Sequence, residues 1–154
     1  MKWLPLLLTC FVCSSALAAE PAVRTAPWTL LDQFENAYTL DHDARVLLVA
    51  RSMSTAKLVN AALENQPAGF LEARHVVFLA DIEKMPSVAK LVAIPMMRSA
   101  KYRIMLDQTG TIAGRYDGDR DSVQWLVLKD GQVAEEQRIS DATQLQQALA
   151  QLPE

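Results

Sequence analysis

The residues with the clearest chemical potential form a short polar turn. Between the apolar run that ends at Ala50 and a helical pattern that ends at Leu63 lie Arg51, Ser52, Met53, Ser54 and Thr55. A strand that turns into a helix leaves free backbone N–H groups at the helix start, and such groups bind small anions or carboxylates. The turn is therefore a candidate binding site. The alternative is a solvated arginine next to ordinary capping residues.

A serine hydrolase is the first enzyme class to test on this turn. Ser52 or Ser54 could act as a nucleophile only with a histidine base and an orienting acid. The two histidines, His42 and His75, have no obvious route to the turn, and the G-x-S-x-G pattern is absent. We therefore assign no catalytic residue.

Both cysteines of the chain, Cys10 and Cys13, lie in its N-terminal segment. That segment has a basic residue, an apolar run too short to span a bilayer comfortably, and small residues up to Ala19, which is typical of a signal peptide. We predict a signal peptide over residues 1–19 and a single domain over 20–154 that is periplasmic or secreted, with no membrane partner after cleavage. The mature protein would contain no thiol, which excludes a thiol oxidoreductase or a cysteine peroxidase.

Redox chemistry through a metal or a cofactor is the remaining enzymatic alternative. Methionine thioethers are soft ligands that suit copper(I), and the candidates are Met53, Met85, Met96, Met97 and Met105. Apart from the adjacent pair Met96 and Met97 they show no ligand spacing, so we expect them to fill gaps in the core. A flavin or nicotinamide site lacks its G-x-G-x-x-G loop in a chain with five glycines. We predict no cofactor, with a flavin- or copper-dependent oxidoreductase as the alternative.

Composition supports one compact domain. The chain has 154 residues, of which 51% are hydrophobic, and a net charge of −3. This is enough apolar material for one core, and no basic patch with interleaved aromatics supports nucleic acid binding.

The pattern of elements is that of an α/β protein. Residues 28–40 predict two short strands around a turn at Glu35 and Asn36, and 46–50 and 75–82 predict buried strands joined by a helix. Residues 86–97 carry an apolar helical stripe at Val88, Leu91 and Val92 that is interrupted at Pro95. Two strand–turn–strand segments follow, with turns at Gly110 and Gly131, and a helix capped by Asp141 ends the chain.

This order, with the phrases "WTLLDQFENAYTL", "IMLDQTGTIAGRY" and "WLVLKDGQVAEE", resembles the thioredoxin-like superfamily, particularly its peroxiredoxin and thiol-disulfide reductase branches. The resemblance covers Trp28 to Leu152. It implies a three-layer α/β/α sandwich with a central mixed sheet and an N-terminal β-hairpin. In that hairpin Glu35 stands where the family usually has a glycine.

The sequence departs from the family at the three positions that usually carry its redox chemistry. The position that matches the reactive cysteine is Met53, residues 121–124 stand where a cis-proline is usual, and Arg120 comes too early to match the peroxidatic arginine. We therefore expect a binding or accessory module rather than an enzyme, with a periplasmic protein or a small ligand as its unidentified partner. Binding is expected at residues 51–55 and at the segment "AIPMMRSAKY", residues 93–102.

Overall fold

The computed structural model describes Arg24 and residues 26–154, so the predicted signal peptide and both cysteines lie outside the described residues. The strands are β1 (Thr29–Asp32), β2 (Ala37–Thr39), β3 (Val46–Ala50), β4 (Val76–Asp81), β5 (Met105–Asp107), β6 (Val123–Lys129) and β7 (Gln132–Ile139). The helices are α1 (Met53–Leu63), α2 (Phe70–Ala73), α3 (Ser87–Met97) and α4 (Ala142–Ala150), and a 3₁₀ helix spans Ala113–Tyr116.

The described strands form one mixed sheet in the order β2-β1-β5-β4-β3-β6-β7. The neighbours β3 and β4 are parallel, as are β4 and β5. The other pairings are antiparallel, including the N-terminal hairpin of β1 and β2. Because β3 and β4 run in the same direction, the chain that leaves β3 and the chain that leaves β4 emerge at the same edge of the sheet. The predicted turn at residues 51–55 lies at that edge.

Strand alternation divides the core between the two faces of the sheet. Leu48 and Ala50 of β3 pack on the face covered by α1 and α4. Leu47 and Val49 face the opposite side, where Trp28 and the 3₁₀ residue Tyr116 close the core. The Trp28 indole N–H donates to the Tyr116 hydroxyl at 2.8 Å. The sequence prediction of a strand after Gly110 is therefore wrong: this segment forms the 3₁₀ helix, which lies in the second outer layer of the sandwich.

The turn between β1 and β2 places residue 35 in a left-handed backbone conformation. Glu35 has φ 64°, which is the left-handed region that glycine adopts without steric cost. The turn is closed by hydrogen bonds between the backbone of Asp32 and the backbones of Glu35 and Asn36. The requirement for a left-handed residue is thus retained although the glycine is not.

Helix α3 differs from the sequence prediction in two respects. It continues through Pro95 to Met97 rather than stopping at the proline. Its apolar stripe faces solvent, since none of its residues is buried, and the residues turned toward the core are Ile94 and Met97. Helical periodicity reveals a stripe but cannot tell which face of the helix meets the sheet, so the stripe at Val88, Leu91 and Val92 is an exposed feature.

None of the described helices has the length and apolar character needed to cross a bilayer.

Candidate functional site

Ser52 and Thr55 hold the start of α1 in place. Ser52 is the N-cap residue: its side-chain oxygen accepts a hydrogen bond from the Thr55 amide, and the Thr55 hydroxyl accepts one from the Ser52 amide at 3.1 Å. The Ser52 hydroxyl also lies 2.6 Å from the backbone oxygen of Arg120. These contacts fix the helix to the loop before β6, so both residues have a structural role at the candidate site.

Because of these and neighbouring contacts, fewer backbone N–H groups at the start of α1 are free to bind a ligand. The Ala56 amide donates to the Ser52 backbone oxygen at 3.0 Å, and the Thr55 amide is used by the cap. Among the described residues, the amides of Met53 and Ser54 have no protein acceptor. Two N–H groups of the first turn are thus left for solvent or a ligand.

Arg51 lines the cavity at the carboxyl ends of β3 and β4, as the sequence led us to expect, but little of it is open to solvent. Its side chain is buried, with the residue 6% exposed. Because strand alternation turns Arg51 to the face opposite α1, its Nη2 reaches the backbone oxygen of Ala113 at 3.0 Å and Oε1 of Gln124 at 2.7 Å. The guanidinium therefore joins β3 to the 3₁₀ helix and to β6.

Gln124 extends this contact into a buried polar network. Its amide nitrogen donates to the Tyr116 backbone oxygen and to Glu136. Gly118 lies directly against the guanidinium: a Cβ there would be 1.9 Å from Nη1 of Arg51. Burial lowers the pKa of Arg51, and the nearby carboxylate of Asp81 opposes that shift. Arg51 thus lines the cavity and also ties the end of β3 into the fold.

Met53 is the exposed member of the turn. It is the first residue of α1 and is 55% exposed. It lies on the wall between two neighbouring cavities that also share Ala56, Ala80 and Met97. We call these two cavities together the α1–α3 groove.

The two halves of the groove differ in chemistry. The half at the carboxyl ends of β3 and β4 has a volume of about 290 Å³ and is lined by Asp81, Lys84, Met85 and Arg120 among others. The half over the sheet has a volume of about 390 Å³ and is mainly apolar. Its further lining residues include Phe78, Ala93, Met96, Tyr102 and Ile104.

Four methionines line the groove, and the expectation that the methionines fill core gaps is wrong only in part, because Met85 and Met97 also pack against the core. Met53, Met85, Met96 and Met97 all line it, and only Met105 is buried in the core among the described methionines. The groove also brings the predicted turn together with the segment at residues 93–102. The sequence offered no signal for the contributions of Phe78 and Ile104, since as apolar strand residues they look like ordinary core.

The histidines lie away from the groove. His75 immediately precedes β4, so it is at the opposite end of the sheet from Met53, which follows β3. His42 lies near Gly131, in the turn between β6 and β7. Neither histidine therefore approaches Ser52 or Ser54, and no group of three His, Cys, Asp or Glu within the described part of the chain could hold a metal ion.

The sequence matches no known family model and no curated protein. Its structure is similar to that of the exposed lipoprotein thioredoxin Etrx1 of Streptococcus pneumoniae, with 15% identity over 82% of this chain and 100% of that chain and a TM-score of 0.56. StoA of Bacillus subtilis matches with 12% identity over 84% and 97% of the two chains and a TM-score of 0.55. Peroxidoxin BcpB of Mycobacterium tuberculosis matches with 16% identity over 81% and 90% and a TM-score of 0.52. These similarities confirm the thioredoxin-like fold and, at this identity, show the fold alone.

Proposed function

We propose that this thioredoxin-like chain is a binding module without thiol chemistry that holds an apolar ligand in the α1–α3 groove. The observation that carries the proposal is the position of Met53, exposed at the start of α1 on the wall between two contiguous cavities. We further propose that residues 1–19 are removed as a signal peptide and that the domain over 20–154 acts in the periplasm or as a secreted protein.

The chemistry of Met53 supports binding rather than reaction. A thioether has no proton to lose, so it cannot become the nucleophile that attacks a disulfide or a peroxide. It is flexible and polarizable, and methionine-rich surfaces adapt their shape to varied apolar partners. With four methionines along its walls, the groove can adjust to ligands of different shape.

The shape of the groove supports an apolar ligand with more than one anchoring group. Ligand sites are typically concave and mainly apolar, with a few polar groups that fix orientation. Here those groups include Asn60, whose side-chain oxygen accepts from the Tyr102 hydroxyl at 3.0 Å, and Lys57 beside it. Two contiguous halves can hold two apolar side chains of a partner protein, or a small molecule of the same apolar character.

A neutral apolar fluorophore, N-phenyl-1-naphthylamine, tests the groove directly. The folded protein should enhance its fluorescence, and Met53→Gln should weaken binding at least five-fold because a polar amide then enters the apolar wall. Leu31→Gln is the matched control, since Leu31 is 52% exposed but lies outside the groove. Equal affinity for wild type and Met53→Gln would contradict the proposed site.

Copper(I) binding is a second candidate function, favoured by the clustering of methionines in the groove. Soft thioethers from Met53, Met96 and Met97 suit this ion. Anaerobic titration against a colorimetric copper(I) chelator, with metal analysis and absorbance of the purified protein, tests this role and the flavin alternative together. Failure of the protein to compete with the chelator would exclude the copper role without affecting the proposal of an apolar ligand.

A further inference from the structure

The outer face of α3 is a second exposed apolar surface. Two of its residues, Leu91 and Val92, do not line the groove. Its exposed fractions are 77% for Val88, 77% for Leu91, 62% for Val92 and 68% for Met96. With Pro95, these residues recur at the spacing of one helix face and extend about 12 Å along the axis. We call Val88, Leu91, Val92, Pro95 and Met96 the outer stripe.

The outer stripe is presented on an anchored helix. The buried amide of Gln33 donates to the Tyr102 backbone oxygen at 2.8 Å, and Nε of Arg98 donates to the Gln33 backbone oxygen at 2.8 Å. These bonds fix the carboxyl end of α3 against the end of β1. Solvent exposure of the stripe is therefore a feature of the folded domain, and contiguous exposed apolar surface marks an interaction site.

The charges around the stripe indicate what covers it. From Lys84 to Leu106 the chain contains the basic residues Lys84, Lys90, Arg98, Lys101 and Arg103 and no acidic residue. Over the whole chain acidic residues outnumber basic ones, 18 to 15. Arg103 is paired with the Asp32 carboxylate at 2.9 Å, so the positive charge of this segment lies on Lys84, Lys90, Arg98 and Lys101, and Lys84 and Lys101 are exposed beyond the two ends of the stripe.

We propose that the outer stripe docks on the surface of an anionic lipid bilayer, with its apolar side chains in the interface and the flanking basic residues on lipid phosphates. An exposed apolar helix face with basic residues suits the bilayer interface, and each basic residue near an anionic surface strengthens the attraction. A second copy of the chain suits the stripe less well, because pairing two such faces brings positive segments together. The stripe is also convex, which fits a deformable planar surface.

This role goes beyond the proposed function, and of the stripe residues only Met96 also lines the groove. The sequence predicts no membrane partner after cleavage, and peripheral docking adds one without a spanning segment. Because Leu91 and Val92 do not line the groove, substitutions there separate docking on a membrane from ligand binding around Met53.

Co-sedimentation with lipid vesicles tests the proposal on the chain over 20–154. Wild type should bind vesicles of phosphatidylcholine and phosphatidylglycerol in equal parts at low salt, bind phosphatidylcholine alone at least ten-fold more weakly, and dissociate as salt rises. The double variant Leu91→Ser with Val92→Ser should lose at least ten-fold in affinity, and Lys101→Gln at least two-fold. Val133→Ser, on the opposite face of the sheet, and Lys129→Gln should bind as wild type does. Circular dichroism verifies that each variant is folded.

Three results would overturn the proposal. The first is no binding to anionic vesicles at low salt, including the case in which the chain instead dimerises through Leu91 in sedimentation equilibrium or binds an acidic protein there. The second is equal binding to neutral and anionic vesicles. The third is equal affinity for anionic vesicles in wild type, in the double variant and in Lys101→Gln. None of these results bears on the N-phenyl-1-naphthylamine test of the groove.

Discussion

Arg51 Nη2 donates a hydrogen bond of 2.7 Å to Oε1 of Gln124, joining the end of β3 to β6 inside the fold. Arg51 immediately precedes the start of the helix that carries Met53, and both residues line the same cavity. Arg51 therefore both lines the candidate site and forms a buried structural contact.

Replacing Arg51 with methionine should lower the free energy of unfolding by about 2–4 kcal/mol, because Gln124 and the Ala113 carbonyl lose a buried charged donor. Urea denaturation measures this loss. Arg120→Met is the control, since that side chain is exposed and its replacement should change stability by less than about 0.5 kcal/mol. A loss below about 1 kcal/mol for Arg51→Met would show that the buried network contributes little.

Replacing Glu35 with glycine should stabilise the protein by about 1 kcal/mol. The backbone at this position has φ 64°, which costs an L-residue energy that glycine does not pay. Thermal or urea unfolding should show the gain for Glu35→Gly and none for Glu35→Ala, which removes the carboxylate but keeps the Cβ. Equal effects of the two substitutions would assign the change to the side chain rather than to the backbone.

Replacing Ser52 with alanine should cost about 1–2 kcal/mol of stability, because the cap on the Thr55 amide and the bond to the Arg120 carbonyl are both lost. Ser54→Ala is the matched control. The Ser54 hydroxyl contacts only the Ser52 hydroxyl among the described residues, so its loss should be much smaller. Similar losses for the two variants would contradict the capping role of Ser52.

Acid should weaken the fold partly through Asp32. Burial raises the pKa of this carboxyl, but hydrogen bonds from the Asn36 and Phe34 amides and from Arg103 outweigh burial and hold the pKa below its usual value. A lowered pKa in the folded state means that the stabilisation is complete above about pH 4 and is lost as pH falls through the folded pKa.

The test of this pH dependence compares unfolding free energies between neutral and acidic pH. Asp32→Asn should flatten the decline below about pH 4, because residue 32 then no longer titrates. Asp43→Asn, at an exposed position in the next turn, serves as control. An unchanged acid slope in Asp32→Asn would rule out this carboxyl as a source of the decline.

The fold was largely predictable from the sequence because its strands are strongly patterned. The apolar run at 46–50 and the buried strand predicted at 75–82 correspond to the parallel strands β3 and β4, and the turn predicted at Glu35 and Asn36 joins β1 to β2. In these elements local propensity and tertiary packing agree, so the hydrophobic pattern of the sequence is sufficient to predict them.

The candidate site was predictable only in part. The sequence identified the turn and residues 93–102, which the structure joins in one groove. It could not show that Arg51 turns inward, because a residue just past a strand end can continue the strand's alternation or leave it. Nor could it show that the stripe of α3 faces outward, since periodicity is the same for a stripe that faces the core and one that faces solvent.

The central claim, that an apolar ligand enters the methionine-lined groove, is most directly tested by NMR of protein labelled with ¹³C at the methionine methyl groups. Addition of N-phenyl-1-naphthylamine should shift the methyl signals of Met53, Met85, Met96 and Met97, which line the groove. The methyl signal of Met105, which is buried in the core, should stay in place as an internal control. Shifts at the groove methionines that saturate together would support the account. Unmoved signals at Met53 and Met97, with or without a shift elsewhere, would contradict it.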